Sequence, residues 1–151
     1  MQLPLKIRIL NRNMSKPIYH AISSAKKYGG TPEEYIDIHD FMDSSKGALP
    51  DNRHRALTHN SWFISNVIEK VFGFSRTNSA GRIYSTRQIA EDHVLEDYNM
   101  RYIPTAQDFL GNISWQEWMD NGKKGYPPSH EKIAENRIRG ARQYIPFKNI
   151  D

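Results

Sequence analysis

The sequence contains no cysteine among its 151 residues. This absence excludes a disulfide framework, a cysteine-ligated zinc or iron–sulfur site and a cysteine nucleophile. Long hydrophobic runs are also missing, which excludes a membrane span. The first ten residues carry Lys6 and Arg8 among their apolar side chains, so they lack the pattern of a secretory signal peptide. We therefore expect a cytoplasmic protein with no membrane contact.

Two common catalytic signatures are absent as well. Residues 28–31, Y-G-G-T, lack the glycine spacing and the following lysine of a phosphate-binding loop. No serine lies in a G-x-S-x-G turn. A length of 151 residues predicts one domain that is large enough to bury its own core.

The net charge of +4 is concentrated at one end of the chain. Residues 1–122 contain 14 Lys and Arg against 14 Asp and Glu, whereas residues 123–151 contain seven against three. A basic tail on a neutral body favours an anionic partner such as nucleic acid, although an ordinary solvated basic helix has the same composition.

The residue patterns predict a mainly α-helical, compact domain with a small β-hairpin. Residues 74–77 and 82–84 flank Asn78-Ser79-Ala80-Gly81 and predict the hairpin. We expect a long helix from Thr31 to about Lys46 and a continuous one from Asp51 to Gly73. Helix-start signals occur at Ser15, Thr31, Asp51, Ser85, Thr105, Ser114 and Ser129.

Three regions follow from these patterns. We expect residues 1–14 to form an N-terminal extended arm or short strand, because apolar and polar residues alternate there. We expect residues 15–122 to form the helical domain that contains most of the histidines, and residues 123–151 to form a basic C-terminal helix and tail. In the helix predicted from Asp51 to Gly73, apolar residues at helical spacing predict one buried face, formed by Leu57, Ile64, Ile68 and Val71. The three tryptophans also lie at helical spacing and are predicted to pack in the core: Trp62, Trp115 and Trp118.

Pairs of histidine and aspartate recur at a spacing of four residues. His39 and Asp43 share one helix face, and His93 and Asp97 repeat the spacing on a later helix. Such pairs on facing helices can bind one divalent metal ion through imidazole and carboxylate groups, and His20 can add a third imidazole. Surface hydrogen bonds and buried hydrogen-bond networks produce the same spacing, so this pattern leaves both interpretations open.

The segment R-H-R-A-L-T-H carries two more histidines. His54 and His59 are five residues apart, about 140° around a regular helix. We therefore expect only one of them at the site. Arg55 shares a face with His59, and a guanidinium beside a metal ion suits phosphate or carboxylate.

The chain from His20 to about Trp118 resembles an uncharacterised family of small bacterial and phage proteins. The resemblance rests on segments that include H-D-F-M-D-S-S-K (39–46), D-N-R-H-R-A-L-T-H (51–59) and I-P-T-A-Q-D-F-L (103–110). It implies no established activity. A looser similarity links the order of His20, His39-Asp40 and Asp97 to metal-dependent phosphohydrolases of the HD type, in which histidine and aspartate hold the metal.

Two functions remain open at this point. The first is a divalent-metal phosphohydrolase acting on a nucleotide or nucleic acid phosphoester. The second is a non-enzymatic binding or assembly protein, of phage or bacterial origin, whose basic tail contacts nucleic acid, a protein partner or another copy of the chain. For the enzyme, the predicted metal ligands are His20, His39, Asp43 and His93, and the predicted catalytic residues are Asp40, Asp97, Arg55 and Lys46.

Overall fold

Helices and one hairpin make up the fold, which is mainly α as predicted. The computed structural model describes residues 16–121 together with Glu135 and Arg137. The α-helices are α1 (Pro17–Tyr28), α2 (Ile36–Asp43), α3 (Arg55–Thr58), α4 (Ser61–Phe63), α5 (Glu69–Phe72), α6 (Thr86–Asp97), α7 (Ala106–Leu110) and α8 (Trp118–Asn121). Three short 3-10 turns also occur, at Pro32–Glu34, Ser44–Gly47 and Asn52–His54. The strands β1 (Ser75–Thr77) and β2 (Ile83–Ser85) pair antiparallel.

Side-chain caps explain where several helices begin. The Ser85 hydroxyl accepts a hydrogen bond from the Gln88 amide and starts α6, and Thr105 and Asp108 form a reciprocal capping box at α7. The long helix predicted from Thr31 is instead divided, because its first turn and its last turn are 3-10 helices on either side of α2.

The continuous helix predicted over residues 51–73 is wrong. At His59 the backbone leaves the helical region, and Asn60 is extended and caps a new helix through its side chain. A π-helical turn then spans Ile64–Ile68, between α4 and α5. Each π turn contains more residues than an α turn, so the turn rotates later side chains to new positions.

The π turn and the break divide the predicted apolar face. Ile64 and Ile68 are fully buried, but Leu57 and Val71 are about half exposed, and Phe72 packs against the core in place of Val71.

A tyrosine cluster joins the hairpin to α1 and α2. The rings of Tyr35 and Tyr84 have centroids 5.0 Å apart, and Tyr28 lies 6.3 Å from Tyr84. At the hairpin turn, the buried Asn78 amide donates to the Tyr28 carbonyl (2.9 Å) and to the Tyr35 hydroxyl (3.2 Å). Its Oδ1 accepts from the amide of Arg82 (3.0 Å). Asn78 therefore ties the turn to the core.

Replacing Asn78 with alanine is expected to lower the free energy of unfolding by about 2–4 kcal/mol, because several buried groups lose their partner at ~1 kcal/mol each. Urea unfolding monitored by circular dichroism measures the loss. The control is Asn66→Ala, since the exposed Asn66 amide donates to the Trp62 carbonyl four residues earlier and makes no hydrogen bond to another described element. Equal urea concentrations at the unfolding midpoint for the two variants would contradict this role of Asn78.

Two further expectations concern tryptophan and the chain ends. Trp62 is 58% exposed and Trp115 is 65% exposed, so their prediction as core residues is wrong. Trp62 lies in the three-residue helix α4, and Trp115 lies in the loop before α8, so neither is on a continuous helix face that could be buried. The predicted arm at 1–14 and basic tail at 123–151 lie outside the described residues, apart from Glu135 and Arg137, which are helical and exposed. Among the described helices, none combines the length and the hydrophobicity needed to cross a bilayer.

Candidate metal centre

Five histidines are buried together between α1, α2, α6 and the segment from the 3-10 turn at Asn52–His54 to the end of α3. They are His20, His39, His54, His59 and His93. The rings of His20 and His93 stack with centroids 3.9 Å apart, and the rings of His59 and His93 meet edge to face at 5.0 Å. Buried imidazoles in such number require hydrogen-bond partners or a cation.

Two carboxylates and two imidazoles alternate around a closed ring, which we call the four-residue ring. His93 Nε2 lies 3.1 Å from Asp43 Oδ1 and 3.5 Å from Asp97 Oδ2. His59 Nε2 lies 2.9 Å from Asp97 Oδ2 and 3.6 Å from Asp43 Oδ1. The four atoms therefore face a common centre.

Each member of the ring reaches it from a different position in the chain. His93 and Asp97 are one turn apart on α6, as the i, i+4 spacing predicts. Asp43 is the last residue of α2. His59 is the residue at which α3 ends, so the break in the predicted long helix places it at the ring.

A chain of hydroxyls, the His59 chain, determines the orientation of His59. The Thr58 hydroxyl donates its one proton to the Met42 carbonyl (2.7 Å). It must therefore accept from His59 Nδ1 (2.8 Å) and from the Ser45 hydroxyl (2.9 Å), and Ser45 in turn accepts from His54 Nδ1 (2.8 Å). His59 consequently carries a proton on Nδ1 and directs Nε2 at the carboxylates.

A second chain, the His93 chain, runs behind His93. His93 Nδ1 lies 2.9 Å from His39 Nδ1, and His39 Nε2 lies 2.8 Å from the Ser24 hydroxyl. All three residues are buried. His39 therefore contacts His93 on the side away from the ring and contacts no carboxylate of the ring.

His20 connects the ring to a partly exposed acid. Its Nδ1 lies 2.8 Å from Glu96 Oε2, and Ser23 donates to the other oxygen of Glu96 (2.7 Å). On the opposite side, His20 Nε2 lies 3.2 Å from Asp97 Oδ1 without the alignment of a hydrogen bond. His20 thus lies between two carboxylates.

These surroundings shift the pKa values of the buried histidines in opposite directions. Burial disfavours the charged form of His20, but Asp97 and Glu96 outweigh it and raise the pKa of His20 to about 9. Burial, together with the charge of His20, lowers the pKa of His93 to about 4. Burial lowers the pKa of His39 well below its ordinary value and that of His54 to about 4.

Both carboxylates of the ring stay ionised. Burial alone would raise the pKa of Asp43, but the hydrogen bond from His93 and the charge of Lys46 hold it well below its usual range. The close contacts of Asp97 with His20 and His59 likewise outweigh burial and lower the pKa of Asp97. The ring therefore offers two anionic oxygens to a cation.

The opposite pKa shifts predict a stability maximum near pH 6.5 for the metal-free protein. Folded His20 holds its proton more tightly than the unfolded chain, so its contribution is complete below 6.5 and is lost as the pH rises through about 9. His54 and His93 resist protonation when folded, so stability is also lost as the pH falls from 6.5 toward 4. The melting temperature, measured between pH 4 and 9 in the presence of a chelator, reports the loss of stability on both sides of pH 6.5, which we call the acidic and the alkaline limb.

The variant Glu96→Gln separates the two limbs. It removes one of the carboxylates that hold the proton of His20, so the loss of stability above pH 6.5 should be smaller and should level off at a lower pH, while the loss below pH 6.5 stays in place. If the melting temperature of the unaltered chain is constant between pH 6.5 and 9, the assignment of the alkaline limb to His20 is contradicted.

Among the residues that the structure describes, two overlapping groups of side chains could hold a metal ion. One is the four-residue ring, and the other consists of His20, His39 and His93. Imidazole nitrogens bind metals in the plane of the ring, yet His20 and His93 stack face to face with an interplanar angle of 28°. A single ion cannot lie in both ring planes, so the four-residue ring is the better site.

The spacing of the four-residue ring fits metal coordination. Bonds of ~2.1 Å place neighbouring ligands about 3.0 Å apart in an octahedron and about 3.4 Å apart in a tetrahedron. The four nitrogen–oxygen distances of the ring, between 2.9 and 3.6 Å, span these values.

The structure distributes the predicted metal ligands and acids between the ring and its surroundings. Of the predicted ligands, Asp43 and His93 belong to the four-residue ring, whereas His20 and His39 belong to the second group. Asp97, predicted as catalytic, also belongs to the ring.

The other predicted catalytic residues lie outside it. Lys46 donates to Asp43 Oδ2 (3.1 Å). The Arg55 guanidinium lies over the ring of Tyr98 (5.1 Å), and its buried Nε has no hydrogen-bond partner. The buried Oδ1 of Asp40 also lacks one, and burial with repulsion from Asp43 raises the pKa of Asp40 to about 6.

Sequence reasoning missed the role of His59 and the hydroxyls behind it. On a regular helix His54 and His59 point apart. In the structure the helix ends at His59, and the two rings have centroids 5.1 Å apart. The signal was present as an N-cap residue: asparagine at position 60 inside an apolar repeat indicates a new helix start. No sequence pattern distinguishes Thr58, Ser45 or Ser24 from other buried hydroxyls.

Comparison with known proteins supports the predicted membership of an uncharacterised family. No curated protein and no solved structure matches the chain. A family model described as "Domain of unknown function (DUF6915)" matches residues 15–119, which include all four residues of the ring and both chains behind it. The chain therefore belongs to this family of unknown function.

Proposed function

We propose that the four-residue ring binds one divalent metal ion, and that the protein uses this ion to hydrolyse a nucleotide or nucleic acid phosphoester. The observation that carries the proposal is the ring itself: Asp43, His59, His93 and Asp97 direct four ligand atoms at one centre. Two further features of the ring support a cation there, namely the proton count at His59 and the type of its ligand atoms.

The proton count at His59 calls for a positive charge between the ring atoms. Because Thr58 gives its proton to the Met42 carbonyl, His59 Nδ1 must donate to Thr58. The lone pair of a neutral His59 would then face Asp97 Oδ2 at 2.9 Å and Asp43 Oδ1 at 3.6 Å. Only a proton or a metal ion between these atoms makes the contacts favourable.

The ligand atoms fit a first-row divalent ion. Two imidazole nitrogens and two carboxylate oxygens suit Mn²⁺, Fe²⁺ or Zn²⁺ better than Mg²⁺ or Ca²⁺, which prefer oxygen alone. With four protein ligands, an octahedral ion keeps two positions open, whereas a tetrahedral ion keeps none. When bound with open positions, such an ion would polarise a water molecule and a phosphoryl oxygen.

Charged side chains beside the ring support a phosphoester substrate. The Lys46 side chain is 34% exposed and its ammonium lies 3.1 Å from Asp43 Oδ2, so it can contact a phosphate oxygen without leaving the site. Asp40, one turn before Asp43, is the candidate proton donor to the leaving group. Arg55 precedes His59 by one turn and is the second candidate phosphate contact.

The metal content of the untagged full-length chain tests the proposal. We expect a first-row metal to co-purify, and we expect Mn²⁺ to raise the melting temperature of chelator-treated protein. Hydrolysis of a nucleotide phosphoester should require Mn²⁺, while Zn²⁺ should bind but leave the protein inactive if it completes a tetrahedral site. The proposal fails if no metal co-purifies and neither Mn²⁺, Ni²⁺ nor Zn²⁺ raises the melting temperature.

Exposed apolar side chains favour a second candidate function, a binding or assembly protein. Phe74 is 76% exposed and Ile83 is 70% exposed, both at the hairpin, and Trp62 and Trp115 are also exposed. In this case the buried histidines form a structural hydrogen-bond network, and the basic segment 123–151 contacts nucleic acid or a protein. Deleting that segment should then abolish nucleic acid binding, and binding with an unchanged salt dependence would exclude the tail as the contact.

A further inference from the structure

The two chains behind the four-residue ring differ in how they end. The His59 chain ends at the Met42 carbonyl, which can only accept, so every hydrogen bond in it has one possible direction. The His93 chain ends at the Ser24 hydroxyl, which can donate or accept. The hydrogen bonds from Ser24 through His39 to His93 can therefore run either way.

One direction suits the protein without a metal ion. Ser24 donates to His39 Nε2, His39 Nδ1 donates to His93 Nδ1, and His93 Nε2 donates to Asp43 Oδ1 at 3.1 Å. Each buried nitrogen of the two histidines then has a partner. His93 cannot bind a metal in this arrangement, because its Nε2 carries a proton.

The other direction suits the protein with a metal ion at the ring. His93 Nδ1 then donates to His39 Nδ1, and His39 Nε2 donates to the Ser24 hydroxyl, so the lone pair of His93 Nε2 faces the ring. We propose that metal binding at the ring reverses the hydrogen bonds through His39, which makes His39 a positioning residue for His93. This inference rests on the proposed metal site and adds a defined change at a histidine that does not touch the ion.

The reversal conserves protons. Before metal binding, His93 carries one proton on Nε2 and His39 carries one on Nδ1. After binding, His93 carries one on Nδ1 and His39 carries one on Nε2. The proton lost from His93 Nε2 is thus matched by the proton gained at His39 Nε2, by exchange with solvent, and both imidazoles remain neutral.

The surroundings of His39 support this role. It is fully buried, and within the described part of the protein the hydrogen-bond partners of its two ring nitrogens are His93 and Ser24, both of which allow either tautomer. Histidines that bind metals generally donate the other ring nitrogen to an outer partner, which fixes the tautomer and orientation. For His59 that partner is Thr58, and for His93 it is His39.

Zinc titration of the ¹⁵N-labelled full-length chain, with long-range ¹H–¹⁵N spectra of the imidazoles, tests the inference. We expect the proton of His39 to move from Nδ1 to Nε2 as Zn²⁺ binds, while the proton of His59 stays on Nδ1 throughout and serves as an internal control. If His59 and His93 respond to Zn²⁺ but His39 keeps its Nδ1 proton, the metal site stands and the inference is overturned. If neither His59 nor His93 responds, both are overturned.

A pair of serine variants provides a second measurement. Ser24→Ala removes the partner of His39 Nε2 in both forms, but only the metal-bound form is left with an unpaired buried N–H, which costs more than the unpaired lone pair of the metal-free form. Zn²⁺ affinity should therefore fall by up to ~10-fold. Ser44→Ala is the matched control, because the Ser44 hydroxyl donates only to the Phe41 carbonyl (2.7 Å). Equal Zn²⁺ affinities in competition titrations of the two folded variants would overturn the positioning role.

Discussion

Replacing Asp43 with asparagine is expected to abolish metal binding and, with it, phosphoester hydrolysis. Asparagine keeps the shape of the side chain and can still accept from His93 Nε2, but it removes one of the two anionic ligands of the ring. Loss of a ligand should weaken binding by more than the ~10–100-fold that changes outside the first coordination shell cost. Elemental analysis and competition titration with Mn²⁺ measure the loss.

The matched control lies on the same helix. Asp37 is exposed and pairs with Arg76 at the surface (2.8 Å), so Asp37→Asn makes the same chemical change away from the ring. It should bind Mn²⁺ and hydrolyse substrate like the unaltered chain. Retention of metal by a folded Asp43→Asn variant would show that the ring does not hold the ion.

The extent to which the sequence predicts this site depends on how local each contact is. His93 and Asp97 share one helix, and the cap at Ser85 that starts the helix is itself a local signal. The i, i+4 pairing of these two residues therefore follows from the sequence. Asp43 contacts His93 rather than its own i, i+4 partner His39, and only the packing of α2 against α6 decides this.

His59 shows a different reason for failure. A stretch of apolar residues at helical spacing favours one long helix over residues 51–73, and that helix turns His54 and His59 apart. In the structure the Asn60 cap and the π turn interrupt this helix, Ile64 and Ile68 stay buried, and His59 lies at the ring. The interruption of the helix is thus what completes the ring.

The charges at the four-residue ring can be considered separately from the basic C-terminal segment. Residues 1–122 contain equal numbers of acidic and basic side chains when histidine is counted as neutral, and within them the buried carboxylates of Asp43 and Asp97 lie beside Lys46 and His20. The two carboxylates together carry the charge that is equal and opposite to that of one divalent ion, so binding the ion would compete with their pairing to His20 and Lys46. The basic residues 123–151 are not required for this balance, so metal binding should be measured separately from any binding of nucleic acid.

Thr58 is expected to be the most sensitive residue that does not itself belong to the ring. Its hydroxyl joins the Met42 carbonyl, His59 Nδ1 and Ser45, all at 2.7–2.9 Å. Thr58→Val keeps the shape and leaves these buried groups without their common partner, which should lower the free energy of unfolding by about 2–4 kcal/mol. Urea unfolding in the presence of a chelator measures this loss.

The same substitution should weaken metal binding for a separate reason. Without the Thr58 hydroxyl, nothing holds the proton of His59 on Nδ1, so the proton can move to Nε2 and donate to Asp97. Affinity for Mn²⁺ should then fall by ~10–100-fold, as it does when outer partners of metal-bound histidines are removed.

Thr58→Ser separates the hydroxyl from the methyl group. It keeps all three hydrogen bonds and loses one buried methyl, at a cost of ~1 kcal/mol in stability, and it should bind Mn²⁺ like the unaltered chain. Because Thr58→Ser keeps the hydroxyl and Thr58→Val keeps the methyl group, a fall in affinity confined to the valine variant would show that the hydroxyl orients His59. Equal affinities for valine and serine would mean that the ring holds His59 in place without the chain behind it.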